Sequence, residues 1–298
     1  MLLLSNAGKM AKDTILSFIE DEALSLGAAI AFYTVTAIAP VMLIVVAIAG
    51  LAFGREAAQN ALTGQLSGLM GQQAAELLQA AVASAAGKPS GILATIFGII
   101  MLIATASGVF GEMQFSLNKI WRAKSKGTTV SRMIRARAAS IGLVATLGFL
   151  LTVSLVVSAA LTAFGDYLNS ILPFGKLIMT VLNGAVSLAL ISILFAAVYK
   201  VLPDRYIDWR DVIVGAVVTA GLFTIGKAGI GWYIGGSAIA SSYGAAGALI
   251  VVLLWIYYST QIFLLGAEFT KIYANRRGSK RSPQSPQAVH ERLSSLRN

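Results

Sequence analysis

The chain has no cysteine and only one histidine, His290, in 298 residues. The absence of cysteine excludes a disulfide framework, a thiolate metal site and a cysteine nucleophile. A lone histidine in a polar tail excludes a histidine-based metal cluster. Charge is scarce as well: 12% of the residues are Asp, Glu, Lys or Arg, against roughly 25% in an average soluble domain. A cleavable leader is not expected either. Met1 to Leu4 is too short for an apolar leader core and has no basic stretch before it, so the first membrane helix is expected to act as an uncleaved anchor.

What the chain does have is apolar residues, 57% of the total, gathered into six blocks. They cover about 27–51, 91–113, 138–164, 176–199, 212–235 and 245–270. Each is near or above the ~20 residues that cross a ~30 Å hydrocarbon core at ~1.5 Å per residue. In lipid the backbone must satisfy its own hydrogen bonds, so the blocks are predicted to be helices. The expected fold class is therefore all-α: a polytopic membrane protein with six transmembrane helices.

The net charge of +10 would suggest nucleic acid in a soluble protein, but here it follows from topology, and no nucleic-acid partner is expected. With both termini in the cytoplasm, the inside segments hold 19 of the 23 Lys and Arg residues and the outside holds Arg55, Lys88 and Lys176. That bias is the positive-inside signal. Residues 1–275 are read as one transmembrane domain. Residues 276–298 form a basic tail rich in Ser and Pro, a composition that favours disorder and contact with anionic lipid. Two further segments carry helical spacing. Residues 6–22, with Met10, Ile15, Phe18 and Ile19 among Lys9, Lys12, Asp13 and Glu20, read as an amphipathic helix on the cytoplasmic surface. Residues 55–86 read as one or two amphipathic helices of the first external segment, on the spacing of Leu62, Leu66, Leu69, Leu78 and Val82.

The stretch GLFTIGKA at 221–228 approximates a phosphate-binding loop, but Ala228 stands where Mg²⁺ needs a hydroxyl and no strand precedes it. It reads instead as part of a glycine-rich membrane helix. Gly226, Gly229, Gly231, Gly235 and Gly236 are small enough to let a neighbouring helix approach. Lys227 is the one basic residue well inside a predicted span, roughly 22 Å from its cytoplasmic end. It either snorkels to the external interface or faces a cavity and holds an anionic group. Glu112 and Glu268 both fall at the cytoplasmic ends of spans, more than ~20 Å in depth from Lys227. They either cap one vestibule or pair with Lys119, Arg122 or Lys271. Tyr33 precedes Pro40 in the first block, Gln114 and Asn118 sit where the second block ends, and Tyr243 lies in the turn before the sixth. Gln261 belongs to a polar cluster with Tyr257, Tyr258 and Ser259. Such residues line pathways or bond helix to helix.

Several stretches resemble the YihY/BrkB family of bacterial inner-membrane proteins. They are AIAFYTVTAIAPVMLIVVAIAG with Phe32, Tyr33 and Pro40, and GEMQFSLNKIW with Gln114, Leu117, Asn118, Ile120 and Trp121. The others are LPDRYIDWRDVIVGA from Leu202, LFTIGKAGIGWYIG with Gly226 and Lys227, and SSYGAAGALIVVLLWIYYSTQIFLLGAEFT ending past Glu268. The resemblance runs from about residue 10 to 275. It implies six transmembrane helices in a bacterial plasma membrane. The family also carries an old name, ribonuclease BN. That activity is not expected, because no acid–base or metal-ligand set meets water, and no catalytic residue or cofactor is assigned. The first expectation is a transporter or exporter of an anionic envelope lipid or other anionic solute. Its substrate-binding candidates are Lys227, Tyr33, Gln114, Asn118, Tyr243, Gln261, Glu112 and Glu268. The alternative is an envelope scaffold, for which segment 55–86 and the tail would matter more than Lys227.

Overall fold

In the computed structural model, residues 2–37, 108–123, 175–236 and 239–276 are described, together with single positions between 54 and 80. Everything described is helix or short connection. Helix α1 is Leu2–Glu20, α2 runs over Ala23–Ala37 and α3 over 108–120. They are followed by α4 (Gly175–Val201), α5 (Trp209–Gly236) and α6 (Ile239–Arg276).

Helices α4, α5 and α6 answer to the fourth, fifth and sixth apolar blocks, and each contains a stretch long and apolar enough to cross a membrane. The 38 residues of α6 span about 57 Å, well beyond a ~30 Å hydrocarbon core. Part of it therefore extends past the lipid, and Arg276, expected in the tail, is still helical. Helix α3 runs seven residues past the expected end of the second block. The rest of the first and second blocks, the whole third block and the tail beyond 276 lie outside the described residues. The described positions from 56 to 80 are helical, but the leucines that motivated that reading fall outside them.

The chain directions follow from local bonds. Helix α1 stops at Glu20, and the chain reverses through Glu22 at a φ of 54°. The Glu22 amide donates to the Ile19 carbonyl at 3.1 Å, and the Leu26 amide donates back to the Glu22 carbonyl at 3.2 Å. Helix α3 ends through Arg122 at a φ of 48°. The Ala123 amide reaches the Asn118 carbonyl at 2.9 Å and the Arg122 amide reaches Lys119 at 3.1 Å, the bond pair of a helix cap that usually takes glycine. At the start of α5 the Asp208 carbonyl accepts from Asp211 and Val212 at 3.1 and 3.0 Å, and Asp211 places an acid in the first turn, where the helix dipole favours it.

Helices α4, α5 and α6 pack in sequence, and α1 lies against α6. The seam between α5 and α6 is built on small residues facing hydroxyls. Gly215 lies against Thr270, Gly266 against Thr219 and Tyr199, and Gly226 against Tyr258 and Ile262. The glycine expectation holds for Gly226 but not for Gly229, which has open space beside it. Gly231, Gly235 and Gly236 lie outside the described side chains. Among the described residues, one buried cluster gathers at one end of the bundle. It joins Leu26 and Ile30 of α2, Leu117 and Ile120 of α3 with Trp121 just past its end, Val198 and Tyr199 of α4, Val212 of α5, and Leu264 and Ala267 of α6. Phe263 stacks on Tyr199 with ring centres 5.5 Å apart.

Candidate functional site

The same end of the bundle carries a set of buried charges. Two carboxyls from distant parts of the chain meet there, Asp21 at 1% exposure from the α1–α2 turn and Glu268 at 0% from α6. The Lys271 ammonium bridges them, donating to Asp21 at 3.0 Å and to Glu268 at 2.8 Å. Arg122, at the end of α3 and largely exposed, donates to the other oxygen of Asp21 at 2.6 Å. Burial alone would raise the Asp21 carboxyl. Hydrogen bonds with Glu268 and Lys271 and the charges of Lys271 and Arg122 outweigh it and hold Asp21 below its ordinary value. Glu268 Oε1 is buried and meets no N–H or O–H donor.

Around this set, Lys119 pairs with Glu22 at 2.9 Å and keeps the Glu22 carboxyl below its ordinary value, while Arg276 pairs with Asp13 of α1. Among the described residues, the two non-glycine residues held at positive φ, Glu22 and Arg122, belong to these pairs. Local strain is stored where α1, α2, α3 and α6 are tied together, a location typical of functional constraint.

A second polar group fastens the α4–α5 loop to α3. Asn118 donates to the Asp204 carboxylate at 2.9 Å and accepts from the Asp204 amide at 2.8 Å. Gln114 donates to the same carboxylate at 3.4 Å, and Arg205 donates to the Trp121 carbonyl at 2.5 Å. Lys200 donates to the Ile207 carbonyl and stands 4.1 Å from the centre of the exposed Tyr206 ring. Gln114 and Asn118 thus serve a loop anchor here, the helix-to-helix alternative of the sequence reading.

The other candidates do not converge. Glu268 joins the charged cluster through Lys271. Glu112 is half-buried and makes no ion pair among the described residues, because Lys119 and Arg122 are taken by Glu22 and Asp21. Gln261 donates to the Leu24 carbonyl at 3.4 Å and packs against Gly27, so it ties α6 to α2. Tyr33 is exposed and lies over Gly108. The Tyr243 side chain lies outside the described set. Lys227 is half-buried and makes no ion pair among the described residues. The α5–α6 contacts place it level with Tyr258, about 15 Å along the axis from Glu268 at ~1.5 Å per residue. This is less than the depth difference read from the sequence, because α5 meets α6 at a different register from that of the block ends. It is still too far for contact.

The sequence reading missed Asp21, which it placed only as the end of an amphipathic helix. One signal was present: an acidic doublet just before one apolar block, matched by Lys271 just after another. The reading also missed that Asp204 is the acceptor for Gln114 and Asn118.

A family model described as virulence factor BrkB matches residues 14–291. The chain belongs to this family. It is similar to a UPF0761 membrane protein of Alteromonas mediterranea, 32% identical over 64% of this chain and 63% of that protein. A UPF0761 membrane protein of Ralstonia nicotianae is 33% identical over 58% of this chain and 38% of that protein. A third, of Rhodospirillum centenum, is 25% identical over 96% of this chain and 62% of that protein. The chain thus spans less than two thirds of the length of each of these relatives. No solved structure matches it. With three described helices fit to cross a bilayer, this BrkB-family chain is an integral membrane protein.

Proposed function

We propose that this BrkB-family protein is a non-enzymatic transporter of the bacterial inner membrane that exports an anionic envelope lipid or a related anionic solute. In this reading six helices span the bilayer and both termini are cytoplasmic, so the charged end of the bundle faces the cytoplasm and closes it. Lys227 is the binding group for the anion. The observation that carries the reading is the unpaired cation itself. Lys227 sits on a membrane-spanning helix, one residue from the seam where Gly226 meets Tyr258, with no carboxylate beside it among the described residues. An ionisable side chain at such a depth is expensive and is ordinarily kept for function. The exposed Tyr206 just before α5, with the exposed Trp209 and Arg210 at its start, supports the placement of this end at a membrane–water interface, where aromatic and basic side chains gather.

The test is Lys227→Met and Lys227→Arg in a lipid-export assay in cells, at matched expression. Export lost in Lys227→Met and retained in Lys227→Arg is the expected result. Export unchanged in Lys227→Met overturns the role and favours the scaffold reading. Deleting segment 55–86 and the tail in turn, and scoring partner capture, then tests that alternative.

A further inference from the structure

Among the described residues, the charged cluster has more carboxyl than buried cation. Asp21 and Glu268 are both at or near complete burial, and of these residues Lys271, 15% exposed, is the cation that shares that interior with them. Arg122 approaches Asp21 from the water side, with 67% of its side chain exposed. Glu268 Oε1 has no N–H or O–H donor, and both carboxyls are held by the one Lys271 ammonium, Asp21 at 3.0 Å and Glu268 at 2.8 Å. Two buried carboxyls gathered on one ammonium repel when both are charged, and close carboxyl pairs relieve this by keeping a proton, because like charges at short range do not both ionise readily.

We propose that Asp21 and Glu268 together form a proton-binding site that holds one shared proton. With it, the pair carries one negative charge, matched by Lys271, and the unpartnered Glu268 oxygen bears no full charge. When the proton leaves for water, the pair carries two negative charges against one buried cation among the described residues. The meeting of the α1–α2 turn and α6 across Lys271 is then repulsive. The proton therefore governs whether that turn stays docked on α6.

Other groups face the site from each packed element. Lys119 and Glu22 form their own pair beside it, Asp13 and Arg276 another at the end of α6, and Asp211 lies in the first turn of α5. Tyr199 of α4 is neutral and spends its hydroxyl on the Phe263 carbonyl at 2.7 Å. Lys200 turns away to the Ile207 carbonyl. Among the described residues, Lys271 is the cation that pairs with Glu268 and with Asp21. A link from this proton to the transport cycle rests on the function proposed above, but the site itself does not.

The experiment is an infrared pH titration of the full chain in lipid nanodiscs, reading the carbonyl stretch of a protonated carboxylic acid. Glutamate and aspartate are isotope-labelled in separate samples. The expected result is a protonated-acid band that persists well above the ordinary glutamate range of about 4.3. It is lost, or its midpoint falls toward that range, in both Glu268→Gln and Asp21→Asn, and Glu112→Gln leaves it in place. No such band in the wild type overturns the proposal. So does a band whose midpoint is unmoved by either substitution. Both substitutions are isosteric, and monodispersity with helical circular dichroism checks their folding. If one fails to fold, the other substitution and the two labelled wild-type samples still decide the outcome. No substrate is needed, so a failure here leaves the transport reading standing, and a failed export assay leaves the proton site standing.

Discussion

At its basic end, helix α6 meets the rest of the protein through Glu268 and Lys271, which engage Asp21 in a buried ion-paired cluster. Two to three turns earlier the same helix meets α5 through Tyr258 and Ile262 resting on Gly226. The first region is held by charge and hydrogen bonds between segments far apart in sequence. The second is held by close approach of neighbouring helices, without a single charge pair among the described residues. The difference follows from the surroundings. In lipid there is little hydrophobic drive for one helix to leave the tails for another, so small residues and close packing do the joining. At the end where helices leave the lipid, charges are cheap to place, and once folded over by α1 and α3 they become buried and must be matched.

The largest effect is expected from removing the cation shared by the two carboxyls. Lys271→Met leaves Asp21 and Glu268 without their common partner, and unfolding in mixed micelles should show a loss of about 3–5 kcal/mol, as for other broken buried pairs. A mild result would mean that water reaches the cluster and that the two regions differ less than described. Next comes the packed seam. Gly266→Ala brings a methyl against the hydroxyls of Thr219 and Tyr199 and should destabilise by about 1–3 kcal/mol. Gly229→Ala, with open space beside it, should be neutral or gain up to ~1 kcal/mol from helix propensity. Equal behaviour of the two glycines would contradict the seam. Tyr199→Phe removes the hydroxyl that donates to Phe263 and shares a hydrogen bond with Thr219, and about 1 kcal/mol should be lost.

Acid should produce a smaller change. The Asp21 carboxyl is held below its ordinary 3.8, so its stabilising contribution is fully present above that value and is lost as the pH falls through the lowered one. Thermal unfolding of the wild type should weaken below about pH 4, with the Asp21→Asn variant losing less over the same interval. The smallest effect is expected at the rim. Glu22→Gln breaks the exposed pair with Lys119 and should barely move the melting temperature, since surface pairs are screened. A large shift there would place the rim pair inside the buried network.

The helices α4 to α6 were legible because a membrane span needs a long, uninterrupted apolar run, and nothing in their sequence competes with that pattern. Their ends were less legible. Helix α5 starts three residues before its apolar block because Asp208 begins it with polar residues, and α6 runs on through Glu268 and Lys271 to Arg276 because its charges find partners outside the lipid. The candidate site was legible only in part. Glu268 and its pairing with Lys271 could be read from a three-residue spacing on one helix. Asp21 could not, since its partners Arg122 and Lys271 lie 101 and 250 residues away. Gln114 and Asn118 carried a recognisable pattern, but their common acceptor Asp204 came from another segment.

The sequence by itself determined that this chain enters a membrane, that its described spans are helical and that its charges collect near the span ends. These are properties of runs and compositions, which local chemistry settles without reference to distant residues. Only the tertiary structure decided that Asp21 and Glu268 face one another across Lys271, and at what level of α6 Lys227 lies. Those facts depend on the register between helices, set by where Gly215, Gly226 and Gly266 let α5 and α6 close together. No local pattern contains that register.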